Sequence, residues 1–317
     1  MSADPHDMTI YDIPGPDASL LYASQCYLGE GPFWHAGRKS CFWVDIEGRR
    51  LFEYAWPSPA PQDWKKLPES TRVREWQLGT RVTMVVGDQE DGLILGMEGG
   101  LAKFDPDTGE LRWLVDIEKG IPKHRCNDGG VDSEGRLWVG TLHMDFDEGA
   151  GSVYCIGEDK IPRKKLEGVT ISNGLVWSPD NTRLYYIDSP RRRVDTFLFD
   201  PASGDIRFEK IAFTIPAHLG GPDGMTIDEE GMLWVAHWGG FGVYRWNPAT
   251  GQLLGSVKVP APNASSCVFA GENLDHLVIS TARQDLSAEE LAKYPQSGDV
   301  FVARLSVRGL PHYACRY

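Results

Sequence analysis

The chain has 317 residues, of which 41% are hydrophobic and 24% charged, and its formal net charge is −13. This length suffices for one large all-β domain or two ordinary domains, and the composition is that of a globular protein with a real core. The acidic charge argues against nucleic acid or an anionic membrane as the main partner, and no apolar run is long enough to span a membrane.

The N-terminal segment and the cysteines indicate the cellular compartment. Residues 1–17 are polar, with four aspartates and three prolines, so they lack the apolar region of a secretory signal and predict a loose lead-in. The six cysteines lie at positions 26, 41, 126, 155, 267 and 315, without Cys-x-x-Cys pairs or zinc-finger spacing. We therefore expect buried, reduced thiols in a cytoplasmic protein.

A hairpin pattern recurs along the chain. In each copy a polar residue precedes a short apolar strand, a polar turn follows, and a second apolar strand completes the hairpin. The clearest copy reads Gly-Pro-Asp223-Gly-Met-Thr-Ile, then Asp-Glu-Glu-Gly, then Met-Leu-Trp-Val-Ala. The six copies begin 42–51 residues apart, at Glu30, Arg81, Asn127, Asn173, Asp223 and Ser265.

Further strand and turn signals follow the hairpins and bring each unit to four short strands. An Asp/Asn-Pro-x-Thr/Ser-Gly turn occurs at 105–109, 200–204 and 247–251, where Pro fixes φ and Gly permits a positive φ. Four short strands in each unit of this length are typical of β-propeller blades. The sequence therefore predicts an all-β fold, a six-bladed β-propeller with four-stranded blades, in one domain spanning 1–317.

The ends of the chain are expected to close the ring, because closure removes sheet edges. An N-terminal strand at 20–27 would pair with C-terminal strands at 300–305 and 311–316. The convincing helical signal is Ser287–Lys293, where Ser287 is the N-cap and Glu290 completes a capping box.

The repeat also predicts a site. The first strand of each blade lines the channel of a propeller, so the six starting residues should converge at one end of it. Two carboxylates, two amides and an Arg would meet there. The oxygen atoms of the carboxylates and amides suit a hard divalent cation. Two carboxylates facing each other repel unless they are protonated or bridged by a cation. The alternative is that these residues are polar caps on strand ends, satisfied by backbone or water.

A second pair of polar residues belongs to the same region. Strand alternation puts Arg125 and Asn127 on one face and Cys126 on the other. Arg125 and Asn127 could hydrogen-bond hydroxyls or an anionic group of a ligand, or Arg125 could pair with a loop carboxylate such as Asp145. The sequence contains no Gly-x-Ser-x-Gly, phosphate-loop or His-Glu-x-x-His motif.

Two histidines and a run of three arginines are interpreted as structural. His143 and His237 follow second strands of blades and could rim the pocket, but a surface or satisfied core position is the simpler expectation. The arginines at 191–193 are expected in a solvated turn.

Several motifs in the same order resemble the regucalcin (senescence marker protein)/gluconolactonase family over nearly the whole chain. They are Leu-Gly-Glu30-Gly-Pro, Arg125-Cys-Asn127-Asp-Gly, Ser-Asn173-Gly-Leu-Val-Trp-Ser, Gly-Pro-Asp223-Gly-Met-Thr-Ile-Asp, Gly231-Met-Leu-Trp-Val-Ala, and Ser265-Ser-Cys-Val-Phe-Ala-Gly leading to Ser280-Thr-Ala-Arg283.

This resemblance implies a six-bladed propeller with one divalent cation at the channel mouth. The family's metal ligands fall on Glu30, Asn173 and Asp223, and its substrate-binding residues fall on Arg125 and Asn127. Ring spacing alone nominates Asn127 equally as a ligand. A further acidic substrate contact of some members falls in the loop after 141, where Asp145 is the candidate, although this loop differs in length.

The implied activity is hydrolysis of a sugar-acid lactone, such as a gluconolactone-type aldonolactone, with Asp223 as ligand and general base. Calcium is the preferred cation, and Zn, Mn, Mg or Fe are alternatives. The expected partner is a small-molecule sugar lactone, and the oligomeric state is open. Two other functions remain: a paraoxonase-like or phosphotriesterase-like hydrolase, which would favour a more apolar pocket, and a non-catalytic calcium-binding propeller.

Overall fold

The six predicted repeats form six separate antiparallel sheets of four strands each. A computed structural model describes residues 13–61, 64 and 73–316 of the chain. The sheets confirm the six-bladed β-propeller. Residues 1–12 of the predicted lead-in lie outside the described residues. Within the described ranges, no helix has the length and apolar character needed to cross a membrane.

The first strand of each repeat is the innermost strand of its blade. Each of these strands contacts the first strand of the next blade, and together they close a ring around the channel, as predicted. The inner strands are β2 (Gly29–His35), β6 (Val82–Gly87), β10 (His124–Val131), β14 (Ser172–Trp177), β18 (Gly221–Ile227) and β22 (Asn263–Ala270).

The other strands follow outward by antiparallel pairing. The second strands are β3 (Ser40–Asp45), β7 (Leu93–Met97), β11 (Leu137–His143), β15 (Arg183–Asp188), β19 (Leu233–Trp238) and β23 (His276–Ala282). The third strands are β4 (Arg50–Ala55), β8 (Gly100–Phe104), β12 (Gly151–Ile156), β16 (Arg193–Asp200), β20 (Gly242–Trp246) and β24 (Val300–Arg304). The outer strands are β5 (Val73–Gln77), β9 (Leu111–Asp116), β13 (Arg163–Val169), β17 (Asp205–Thr214), β21 (Leu253–Lys258) and, in the sixth blade, β1 (Ser19–Tyr22).

The ring is closed by β1, which pairs with β24 so that Leu20 lies opposite Phe301. This confirms the predicted pairing with 300–305. The second predicted C-terminal strand is wrong, because residues 311–316 make an isolated bridge at Cys315 instead of a strand. The segment 309–316 crosses the far end of the channel, and its Leu310, Pro311, His312 and Tyr313 line a cavity of about 280 Å³ there.

The described part of the lead-in is fixed against the fifth blade. Ile13 is buried, and the carbonyls of Pro14 and Pro16 accept hydrogen bonds from the backbone N–H groups of Ser256 and Lys258 in β21. The loose segment predicted at 1–17 is therefore wrong for these residues. Their backbone extends the exposed edge of this blade and satisfies hydrogen-bonding groups that the edge would otherwise present to solvent.

The core lies between the blades. Six clusters of buried apolar side chains each fill the space between two neighbouring sheets, so both faces of a blade are buried. All six cysteines are buried and none of them forms a disulfide, as expected. The predicted helix is α1 (Ala288–Lys293), and its capping box between Ser287 and Glu290 is present.

Candidate functional site

Every inner strand carries a bulge near one end of the channel. The pairing register shifts beside Glu30 in β2, Asn127 in β10, Asn173 in β14 and Asp223 in β18, and also within β6 and β22. A bulge bends its strand and re-aims the side chains beside it. These four side chains consequently line a single cavity.

Glycines in this region allow the inner strands to approach one another closely. A Cβ atom on Gly224 would lie 2.2 Å from Ser266 Oγ, and one on Gly174 would lie 2.7 Å from Met225 Cγ. The recurring Asn-Gly and Asp-Gly pairs of the sequence therefore reflect close backbone packing around the channel.

The cavity has a volume of about 360 Å³ and brings together five of the six predicted site residues. All five side chains are buried or nearly so. We call them the polar floor: Glu30, Arg125, Asn127, Asn173 and Asp223. Their grouping matches the expected convergence of inner strands from four of the six blades.

The expected convergence is wrong for Arg81 and Ser265, which lie outside the lining of this cavity. Arg81 precedes β6 and forms ion pairs with Glu47 and Glu98, each at 2.9 Å. The bulge of β6 falls between Val82 and Met84, so the hairpin alignment was offset in this blade. The Ser265 hydroxyl donates a hydrogen bond to the Gly29 carbonyl, so it links two inner strands within the channel wall.

Asp145 does not contribute to the cavity lining either. It is exposed and forms an ion pair with Lys123, whose hydrogen bond lowers the pKa of the Asp145 carboxyl. The alternative interpretation, an ion pair between Asp145 and Arg125, is also wrong. The neighbouring Phe146 lines the cavity instead, because the loop turns back after His143, whose carbonyl accepts the Phe146 N–H at 2.8 Å.

A chain of hydrogen bonds fixes the amides of the polar floor. Arg125 Nη1 donates to Asn127 Oδ1. Asn127 Nδ2 donates to Asn173 Oδ1 at 2.9 Å and to the Ser172 carbonyl. Asn173 Nδ2 donates to Ser189 Oγ at 2.7 Å. Because each amide nitrogen has its partners, the orientation of the Asn173 oxygen is set by Asn127.

The charged forms of the two carboxyl groups of the polar floor are unfavourable. Burial, followed by the charge of Asp128, raises the pKa of Glu30. Burial, followed by the charges of Glu30 and Asp128, raises the pKa of Asp223 well above its ordinary range. Burial lowers the pKa of Arg125 to about 10, so this guanidinium stays charged at neutral pH. The positive charge of Arg125 offsets part of these shifts at Glu30 and Asp223.

Asp128 is the third carboxyl group in this set of interacting charges, since its charge acts on Glu30 and Asp223. Strand alternation did not predict it. Alternation assigns it to the face opposite Asn127, but the bulge of β10 between Cys126 and Gly129 disrupts the alternation. Asp128 lines the cavity on the far side of the channel, and burial raises its pKa to about 6. The only sequence signal for it was its place in the Arg125-Cys-Asn127-Asp-Gly motif.

Apolar side chains form a large part of the walls of the site cavity. We call them the apolar collar, formed by Leu28, Ile46, Leu142, Phe146, Ile171 and Trp238. They come from loops and strand ends of four blades, which is why no single motif indicated them.

The remaining basic positions have structural partners. His237 is buried, contacts the Leu219 carbonyl through Nδ1 and stacks on Tyr244, so it is a core residue as expected. His143 packs against His124 and Asp147. Arg191 pairs with Asp188 and Arg193 with Asp195. Arg192 was expected in solvent, but it lines the cavity and donates to the Pro216 and Gly220 carbonyls.

The fold and the site define a class: a six-bladed propeller with oxygen-bearing side chains at one mouth of its channel. Residues 28–283 match the model of the SMP-30/Gluconolactonase/LRE-like region, and the chain belongs to this family, as the motifs predicted.

Two relatives and one solved structure illustrate the match. A Bacillus subtilis protein named as a candidate sugar lactone lactonase, YvrE, is 32% identical over 296 residues, covering 92% of this chain and 96% of the relative. Regucalcin of Oryctolagus cuniculus is 31% identical over 295 residues, covering 91% of this chain and 95% of the relative. The structure of a calcium-binding protein, regucalcin, from Agrobacterium tumefaciens is 25% identical with a TM-score of 0.87, covering 96% of this chain and 99% of that chain.

Proposed function

We propose that this protein hydrolyses the lactone of a sugar acid, of the gluconolactone type, to the open aldonic acid, and that a divalent cation assists. Family membership and the relative named as a candidate sugar lactone lactonase support the enzyme class, a hydrolase of lactone esters. The observation that carries the proposal is the convergence of Glu30, Asn173 and Asp223 in one cavity beside Arg125.

The donor set fits a hard cation. Among the described residues, no three His, Cys, Asp or Glu side chains are placed to hold a metal, so the proposed set relies on the Asn173 amide oxygen. Buried carboxyl groups with raised pKa values are stabilised in the charged form when a cation lies between them. Glu30, Asn173 and Asp223 would hold it, and oxygen ligands suit Ca²⁺, Mg²⁺ or Mn²⁺. We favour calcium, because a similar solved structure is described as a calcium-binding protein, with Zn and Fe as alternatives.

Lactone hydrolysis adds water across the ring ester bond. The water oxygen joins the acyl carbon, the bond from that carbon to the ring oxygen breaks, and the ring oxygen leaves as a hydroxyl. A bound divalent cation would supply Lewis acidity toward the carbonyl oxygen. Asp223 would accept the proton of the attacking water, which is the role of a general base. Arg125 would donate to the sugar hydroxyls and orient the ring, while Asn127 supports Asn173.

One experiment tests the proposal. The purified protein is stripped with a chelator, single divalent cations are added back, and acid release from a panel of aldonolactones is followed against the uncatalysed rate. We expect turnover that depends on the cation and is restored best by Ca²⁺. Cation binding without turnover of any lactone would identify a non-catalytic binding protein instead, and equal turnover in the stripped protein would exclude the role of the cation.

A further inference from the structure

The site cavity combines two chemistries. Its polar floor carries the groups that would act on the lactone ring, whereas the apolar collar surrounds the space above them. A fully hydroxylated sugar chain would place its hydroxyls against Leu28, Ile46, Leu142 and Ile171, which offer no hydrogen bonds. Burying a hydroxyl without a partner is unfavourable, whereas burying a methylene there is favourable.

Four polar side chains line the cavity beside the floor, and two of them have partners within the protein. Ser189 Oγ accepts a hydrogen bond from Asn173, and Arg192 donates to the Pro216 and Gly220 carbonyls. Gln284 and Asp285 add polar groups to the lining. The remaining walls are predominantly apolar.

Phe146 provides a second observation. Its side chain is 47% exposed although it is a large apolar group, and its backbone has φ 59°. Bulky side chains rarely adopt this left-handed conformation, which Gly and Asn tolerate better. A large aromatic group that is half exposed at the cavity offers apolar surface to a bound ligand.

We propose that the apolar collar makes the site a hydrolase of lactones that carry an alkyl substituent on the ring, in addition to hydroxylated aldonolactones. This inference rests on the proposed function, because the same floor would open both kinds of ring. The reaction is again addition of water: the hydroxyl joins the acyl carbon, the ring ester bond breaks, and the ring oxygen takes the proton, giving a hydroxy acid. The alkyl chain would lie against Phe146, Trp238 and Leu142.

The test compares a series of γ-lactones with gluconolactone as substrates of the cation-loaded protein. The alkyl substituent of the γ-lactones lengthens by one methylene at a time. We expect kcat/KM to rise about fourfold for each added methylene until the collar is filled. A flat or falling series, with gluconolactone still hydrolysed, overturns this inference and leaves the proposed function intact. Failure to hydrolyse any lactone overturns both.

A matched pair of variants locates the effect. Phe146→Asn removes the aromatic ring but suits the left-handed backbone, so the loop should keep its conformation. Phe208→Asn is the control, because Phe208 is 49% exposed on the outer strand β17, away from the cavity. Phe146→Asn should lower the ratio of alkyl-lactone to gluconolactone kcat/KM by about tenfold, while Phe208→Asn should leave it unchanged. If Phe146→Asn slows both substrates equally, the ring serves the sugar and the inference is wrong.

Discussion

Asp223 and Asp228 lie five residues apart on one hairpin, and both are buried, at 7% and 0% exposure. Asp228 receives four hydrogen bonds, from the backbone N–H groups of Glu230 and Met232 and from the Trp234 and Arg245 side chains. Asp223 receives the N–H of Gly224 but faces the charges of Glu30 and Asp128. Burial alone therefore does not distinguish a structural carboxylate from one proposed to bind a cation, and the groups around the two carboxylates are what differ.

The same contrast recurs in the third blade. Asp132 is fully buried and receives hydrogen bonds from the Glu134 and Arg136 backbone, the Arg136 side chain and the Trp138 indole. Asp128, four residues earlier, has a raised pKa. In both hairpins the acid at the far end of the inner strand ties the turn together. The acid near the bulge lies in the channel, where burial raises its pKa.

The largest effect is expected from Asp223→Asn, which keeps the shape and removes the charge. Loss of the general base and of one cation ligand should lower kcat/KM for an aldonolactone by about 10³-fold. The cation-free variant should be at least as stable as the unsubstituted protein, because repulsion from Glu30 and Asp128 is relieved. Lactone hydrolysis and urea unfolding measure the two effects. Activity within tenfold of the original would refute the assigned role of Asp223.

Asp228→Asn should show the opposite behaviour. Its amide N–H groups would face the Trp234 and Arg245 donors, and Arg245 would keep only Glu230 as a charged partner, so the free energy of unfolding should fall by about 3 kcal/mol. The kcat/KM of the folded fraction should change little. Urea unfolding measures the loss, and Asp205→Asn, at an exposed ion pair with Lys165, is the control expected to leave the urea midpoint unchanged. An unchanged midpoint in Asp228→Asn would contradict the structural role.

The fold was predictable because each blade repeats one pattern of apolar strands and turns, and a ring of repeats leaves few alternatives. Four of the six ring positions were also correct, since strand starts mark the channel mouth. The exceptions have a common cause. Bulges change side-chain direction without a reliable sequence signature, so Arg81 was aligned with the wrong position and Asp128 was not predicted at all.

Contacts between distant segments were less accessible to sequence reasoning. Phe146, rather than Asp145, faces the cavity because of the turn after His143. The segment 309–316 resembles a strand in composition, but the sixth blade already has its outer strand in β1. Both outcomes depend on which distant segment of the chain lies at a sheet edge or a cavity. The local pattern of apolar and polar residues does not contain that information.

The smallest effect concerns Asn127, whose predicted role was substrate binding. Its amide instead bonds Arg125, Ser172 and Asn173, so we expect it to act mainly by orienting the Asn173 oxygen. Asn127→Leu should weaken cation affinity by about 10- to 100-fold, which is typical for a residue that supports a metal ligand. Asn263, a buried amide of β22 that bonds the Gln284 carbonyl and the Gly239 N–H, provides the matched control Asn263→Leu.

Cation-dependent stability measures this effect without reference to activity. At a Ca²⁺ concentration of 100 times the original Kd, binding should stabilise the unsubstituted protein by about 2.7 kcal/mol. A 10- to 100-fold weaker site would retain only about 1.4 to 0.4 kcal/mol at the same concentration, whereas Asn263→Leu should retain nearly all of the gain. If Asn127→Leu kept the full stabilisation but raised KM for the lactone, Asn127 would be a substrate-binding residue after all. A count of hydrogen bonds would then not be enough to separate structural from ligand-binding polar groups, because an amide with all its partners in the protein would still contact the ligand directly.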